Sequence, residues 1–432
     1  MKEFLVGMAK GDITPEVGSL LYGYPSKRPS ESVLDNLKVS AIAIKQENET
    51  VLLISSDLCS IGIEECDFVR ESISKDFNIP FENIIFSAIH THSGPVTRTS
   101  AGWGTADMEY LQNILIPVSC DIAKKALESL KPAVMAVGIT DSYVGVNRRE
   151  MENGEVILGQ NPDGPYDPQM TLVMFKTQDG ENIGSFIHFA THPTSAGANL
   201  SITRDWPGFM MDRIEEITKA PCMYVNGAEG DIGPRLSNGK TIADEPSMVE
   251  MGKIAAKDAE KAYENLGEFK TPELKTLSAD LFLPYIEAPT YESVLADMKA
   301  MGNPEDLIEV DISTYARLEK IKGMYERGEA FAKGLTLKHI VISMGDLAIV
   351  PLPFELFCEI SLGIKKGSPF SKTLVFGLSN GSRGYIPTED QIPFGGYEIG
   401  SFRAASIPGF IDGLDKHLVK ENVDFLNRLN NK

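Results

Sequence analysis

Apolar positions along the chain repeat in two ways. Short runs rich in β-branched residues, such as 4–15 (FLVGMAKGDITP), 37–46 (LKVSAIAIKQ), 51–58 (VLLISSDL) and 82–92 (ENIIFSAIHTH), predict strands. Longer stretches with apolar residues three and four apart predict helices at 63–77, 206–218, 247–266 and 412–428. The segment 108–130 reads as one long helix interrupted near Pro117. Residues 133–149 form a strand, and 170–192 two strands around a turn at Asp179-Gly180. A strand and loop follow at 221–235, then two strands and a helix at 338–366. The stretch 290–330 is charged and helical and predicts a peripheral helical pair at the mouth of a pocket. A strand followed by a long loop occupies 373–406.

Strand–helix alternation without repeats, low-complexity tracts or linker-like shifts predicts an α/β fold. Strands and helices would be layered in a single domain over residues 1–432, with a helical, charged insertion at about 290–330. A formal net charge of −20 opposes a nucleic-acid partner and binding to anionic membrane surfaces. No apolar run approaches the roughly twenty residues that span a bilayer, so no stable membrane insertion is expected. The five cysteines are odd in number, widely spaced and form no CxxC, which fits a reducing compartment. The N-terminus is too short in apolar residues for an export signal, and a cytoplasmic location is expected.

Four of the six histidines fall in two tight clusters, His90 with His92 and His188 with His192. Each cluster ends an apolar run and opens into a small-residue turn containing proline, where a strand delivers side chains to a site. Imidazole is the commonest metal ligand and the usual acid/base near neutral pH. His90 and His92, two apart on a strand, would leave the same face about 6.5 Å apart. That suits two ligands, one ligand beside an acid/base, or a hydrogen-bonded pair at a sheet end. His192, before Pro193, is the better ligand candidate of its cluster, and His188, deeper in the apolar run, reads as a buried structural residue. Glu355 follows a strand and opens a helix, placing one carboxylate near a strand end. Asp57 reads as a cap for the next helix and Asp205 as an N-cap before Pro207. Glu229 and Asp231 sit in a Gly-rich turn, and Tyr397-Glu398 in a Gly-rich loop.

In order along the chain, VGMAKGDITPEVGSLLYGY, SSDL, SAIHTHSGP, VNRRE with DPQMTLVMF, FATHPTS, GAEGDIGPR, VPLPFE and GGYEIGSFRAAS resemble the neutral/alkaline (non-lysosomal) ceramidase family. The resemblance covers nearly the whole chain. It implies the layered catalytic domain of that family, without its C-terminal immunoglobulin-like domain. It also implies one Zn2+ held by His90, His192, Glu355 and Tyr397, with His92 facing the zinc-bound water and Arg148 facing the substrate carbonyl. The implied reaction is hydrolysis of the amide bond of a small-molecule N-acyl substrate, ceramide or a ceramide-like compound. Chemistry of that kind needs N/O ligands with an open position, a neighbouring base and a fixed positive charge. One departure is notable: the family's loop reads GDVSPN, whereas here it reads GDIGPR, so Gly233 stands in place of a serine. Two other readings stay open: a binuclear ester or phosphoester hydrolase recruiting Asp57, Asp205 or Asp231, and a non-catalytic ligand-binding protein.

Overall fold

The computed structural model describes residues 3–25 and 27–432. Met1, Lys2 and Ser26 lie outside it, the last in LYGYPSKRPS, whose composition predicts a Gly-rich turn. Four layers stack as helices, sheet, sheet, helices, in agreement with the α/β class expected. The larger sheet has eight strands in the order Cys222–Asn226, Asn182–Phe189, Gln169–Thr177, Lys131–Asp141, Phe4–Asp12, Lys38–Gln46, Glu49–Ser56 and Ile84–Ala88. Its inner strands pair antiparallel, while the outermost strand on each side pairs parallel with its neighbour. The smaller sheet runs Leu274–Pro284, Gly334–Met344, Leu347–Pro351, Lys372–Phe376.

Alternation along each strand decides which layer a side chain joins. On the strand Lys38–Gln46, Ile42 and Ile44 face the smaller sheet while Val39, Ala41 and Ala43 face helices. Between the sheets, Phe175, Phe186 and Met223 meet Ile340, Ile342, Leu374 and Phe376 in one apolar core. The helices Ile63–Phe77 and Ile116–Glu128 cover one half of the larger sheet's other face, and Trp206–Thr218 and Glu245–Glu264 the other half. Cys358–Gly367 and Leu414–Asn430 cover the smaller sheet from outside.

The long helix expected at 108–130 is interrupted upstream of Pro117. Residues Leu111–Leu115 form a π-helical turn between Met108–Tyr110 and Ile116–Glu128. The charged stretch folds as two helices, Tyr291–Met301 and Glu309–Glu326. The loop expected after 373 holds a helix, Tyr397–Ala404, which the glycines at 395 and 396 concealed in the sequence. Asp57 caps no helix: its Oδ2 accepts from the Lys38 amide at 2.8 Å, and the helix after it is capped by Gly62. Asp205 does cap Trp206–Thr218. All five cysteines are free, and among the described residues no helix is long and apolar enough to cross a membrane.

Phe186 is fully buried between the sheets, its ring edge-on to Phe376 at 6.1 Å. Phe186→Ala is expected to cost about 3–5 kcal/mol in chemical denaturation; a loss under about 1 kcal/mol would contradict this inter-sheet packing.

Candidate metal centre

The larger sheet curls until its two edge strands meet. Asn226, fully buried at the end of one edge strand, donates from Nδ2 to the Ile89 carbonyl at 3.0 Å and to that of Thr191 at 3.4 Å. Its Oδ1 accepts from the Tyr224 hydroxyl at 3.0 Å, the Gly227 amide at 3.0 Å and the Thr191 amide at 3.3 Å. Ile89 and Thr191 immediately precede His90 and His192, so one side chain ties together the two chain ends that carry the histidines.

The strand Ile84–Ala88 stops before His90, which takes φ of 76°, a left-handed conformation uncommon for a side-chain-bearing residue. His90 and His92 therefore do not leave one face of a strand as expected. The kink turns their rings together, with Nε2 to Nε2 at 3.3 Å. Gly23, at φ of 106°, lies so close that a Cβ there would stand 2.4 Å from the His92 ring. Arg28 donates to the carbonyl of His92 at 2.7 Å, fixing the turn.

Each ligand candidate is oriented by its other side. His90 Nδ1 donates to the Cys59 carbonyl at 2.7 Å, and His192 Nδ1 to that of Glu229 at 2.7 Å. A carbonyl only accepts, so both Nδ1 atoms carry hydrogen, and Nε2 is the ring atom that each histidine turns to the centre. Glu355 Oε2 lies 3.2 Å from His90 Nε2 and 3.4 Å from His192 Nε2. Glu355 occupies a two-residue strand, Glu355–Leu356, paired with Tyr385–Ile386, rather than the first turn of a helix; the helix begins at Cys358. Its register partner is Tyr385, whose hydroxyl lies 3.3 Å from His192 Nε2.

These spacings fit a tetrahedral cation. Zinc–nitrogen bonds of about 2.0–2.1 Å imply roughly 3.3 Å between neighbouring ligand atoms. His90, His192 and Glu355 form a buried group able to hold a metal ion, and Glu355 Oε2 is a buried acceptor without a hydrogen-bond partner. A second grouping, Cys59 with His90 and His92, is weaker: Cys59 Sγ lies by His90 Nδ1 and His92 Nε2 by His90 Nε2, on opposite nitrogens of one ring that a single ion cannot use together. Burial disfavours charge on His90, yet Cys59 and Glu355 outweigh it and raise its pKa well above the usual range. Burial would raise that of Glu355, but His90 and His192 pull it well below. Burial and Arg148 push His192 down to about 3.

The phenol that meets this cluster is Tyr385, not Tyr397. Tyr397 lies one layer out, its ring 5.7 Å from that of Tyr385 and 6.2 Å from that of Trp103. The two tyrosines are twelve residues apart in a glycine-rich stretch; the GY pair at 384–385 was the available signal, and only the pairing with Glu355 distinguishes them. Arg148 also departs from expectation. Its Nε is bound to Glu398 Oε1 at 2.8 Å and its Nη2 to the Tyr385 hydroxyl at 3.2 Å, and it does not line the adjoining cavity. Arg149 completes a buried triad through Glu398 Oε2 at 2.7 Å. His188 belongs to the sheet core, donating from Nε2 to the Val375 carbonyl at 2.9 Å and stacking on Phe376.

His90, His92, Glu355, Tyr385 and Tyr397 border a cavity of about 410 Å³. At Gly233, where the family's serine would stand, a Cβ would come within 2.6 Å of Thr241. Glu229 is fully buried with neither carboxylate oxygen partnered, and burial pushes its pKa up to about 8.

Residues 4–228 match the family described as neutral/alkaline non-lysosomal ceramidase, N-terminal. A neutral ceramidase of Oryza sativa subsp. japonica is 27% identical over 235 residues, 50% of this chain and 29% of that protein. Neutral ceramidase 2 of Arabidopsis thaliana is 27% identical over 215 residues, 46% of this chain and 28% of its own length. The matched region thus spans less than a third of either plant protein. The neutral ceramidase from Pseudomonas aeruginosa shares the fold, with a TM-score of 0.75 at 18% identity over 99% of this chain and 75% of that one. A ceramidase complexed with C2 superimposes at 0.76 with 17% identity, over 100% of this chain and 76% of that one.

Asn226→Ala is expected to lower stability by about 2–4 kcal/mol and to weaken metal retention at least tenfold, checked by denaturation and metal titration. Unchanged metal affinity would show that the two histidine-bearing segments hold position without it. For Glu229 the folded state binds the extra proton between about 4.5 and about 8, so its burial costs stability progressively as pH rises through that window. In metal-stripped protein, the gain in denaturation midpoint from Glu229→Gln should therefore be larger at pH 8 than at pH 5. An equal gain at both would refute the shift.

Proposed function

The chain belongs to the neutral/alkaline non-lysosomal ceramidase family, and on that premise we propose that it is a zinc-dependent hydrolase cleaving the amide bond of an N-acyl compound. The observation that carries this reading is the convergence of His90, His192, Glu355 and Tyr385 beside a cavity, at tetrahedral edge spacing. Zn2+ bound by these four residues would polarise a carbonyl and make a water molecule acidic enough to attack near neutral pH.

The chain's own groups would do the rest. Burial, with His90 and His192 close by, drives the His92 pKa well below its ordinary value, so its imidazole is neutral before the reaction. His92 Nε2 takes the proton from the attacking water as the new C–O bond forms. It returns that proton to the departing nitrogen as the C–N bond breaks, leaving a carboxylic acid and an amine. Burial keeps the Tyr397 phenol protonated, and from the cavity wall it can donate to the oxygen that gains charge. Arg148 acts through Tyr385 as a positioning residue. The binuclear alternative finds little support: Asp57 is engaged by Lys38, Asp205 by Ala196 and Trp206, and Asp231 by Asn147 and Cys358. The names of the relatives make ceramide one substrate to test.

Purified protein is expected to hold about one zinc per chain, with activity lost on chelation and restored by zinc; two per chain would favour the binuclear reading. Tyr385→Phe should weaken metal retention, whereas Tyr397→Phe should keep the metal and lower kcat about 10–1,000-fold. The reverse pattern in metal analysis would return the ligand role to Tyr397. His92→Ala should retain zinc while kcat falls about 100–10,000-fold, and loss of zinc instead would make His92 a ligand.

A further inference from the structure

The cavity beside the metal cluster is polar and cationic in a protein of net charge −20. Four basic side chains border it, Arg98, Arg317, Lys320 and Arg383, and among the described residues the only acid on its wall is Glu355. Among the described residues none of the four forms an ion pair with a carboxylate. Arg98 donates to the Ser382 carbonyl at 3.2 Å. Arg317 is held by two main-chain carbonyls, those of Ser406, at 3.0 Å, and Pro408. These are neutral acceptors that orient the guanidinium without pairing its charge. Arg383 also borders a smaller cavity that contains Asp67, but Asp67 is paired with Arg70 at 2.8 Å. Burial lowers the pKa of Arg317, with Arg403 adding to the shift and Asp297 opposing it.

Partly desolvated cations without partners cost stability unless a ligand supplies the missing charge. Other buried arginines are matched, Arg148 and Arg149 by Glu398 and Arg204 by Asp35 and Asp212, whereas Arg28, beside His92, is held by main-chain carbonyls alone. The cavity, about 410 Å³, is at the small end for ligand pockets. Serines recur along its wall at positions 100, 313, 382, 401 and 406, so it lacks the continuous apolar lining that two long hydrocarbon chains require.

We propose that the substrate of this site is a small acidic amide, whose carboxylate or phosphate is bound by Arg98, Arg317, Lys320 and Arg383 while the amide lies at the metal cluster. The inference rests on the amidase reading above and names its substrate class. Guanidinium forks suit either anion, since both offer paired oxygens. Two of the four cations come from the helix Glu309–Glu326, which packs against the helix Tyr397–Ala404 that begins with Tyr397. Anion binding and the placing of Tyr397 would thus share one wall.

The test compares matched pairs by steady-state kinetics: N-butyryl-glycine with N-butyryl-glycinamide, N-succinyl-butylamine with N-butyryl-butylamine, and N-butyryl-O-phosphoethanolamine with N-butyryl-ethanolamine, with a short-chain ceramide alongside. At least one acidic amide should exceed its neutral partner in kcat/KM by tenfold or more, and which pairs do so separates carboxylate from phosphate. Arg317→Gln and Arg383→Gln should each reduce that ratio about tenfold; Lys320→Gln, at an exposed position, should reduce it without risk to folding. Neutral amides or ceramide cleaved as well as the acidic ones, with ratios unmoved by the variants, would overturn the proposal and leave the amidase reading standing. If no amide is cleaved, the amidase reading fails on its own. Calorimetric binding of the same pairs to wild-type and Lys320→Gln protein then decides the anion site: an acid-selective Kd that weakens in the variant supports it, and equal affinities refute it.

Discussion

The site depends on closing a curled sheet at one point, and Asn226 is the side chain that closes it. An amide offers donors and an acceptor within one rigid plane, so it can pair with several backbone groups at once. Here it spans the carbonyls of Ile89 and Thr191 together with the amides of Thr191 and Gly227. No apolar residue could satisfy those buried groups, and a carboxylate would have nothing to donate. The strained φ at His90 persists because the structure around it is fixed in this way.

A second tie runs from the same loop. Its carbonyls at 229 and 232 hold the His192 ring, the Gly230 amide donates to the Leu356 carbonyl at 2.8 Å, and Asp231 Oδ1 receives the Cys358 amide at 2.8 Å. His192 and the strand carrying Glu355 are thereby located by one short segment. Pairing of Glu355 with Tyr385 then brings in the phenol. Each ligand is thus oriented by backbone groups, which a sequence does not display.

That explains which parts were legible in the chain. The histidines announced themselves by scarcity and clustering, and layered strands and helices followed from periodicity. His188 and His192 were separable because one lies within an apolar run and the other after it. Tyr385 and Tyr397 were not separable: both sit in glycine-rich stretches, and the difference is a register between two-residue strands far apart in sequence. Arg148 looked like a free cation because its partner, Glu398, is 250 residues away. Asp57 followed a strand and preceded a helix, the local setting of a cap, yet a neighbouring strand's amide at Lys38 claimed it. Long-range hydrogen bonds decided each of these cases, where local pattern carries little information.

The family match ends at residue 228, so it contains His90, His92, Arg148 and His192 but not Glu355, Tyr385 or Tyr397. The proposed centre therefore rests on geometry for half of its candidate ligands. The division has a physical sense. Histidines at the ends of core strands are fixed by the larger sheet, whose packing tolerates little change. The cavity wall comes from later loops and from the helix Glu309–Glu326, peripheral elements that can vary at small cost to the core. On the proposed function, bond-breaking chemistry and choice of substrate would thus be carried by different layers of the molecule. Likeness in the first therefore leaves the second to be read from the wall itself, where the cations are.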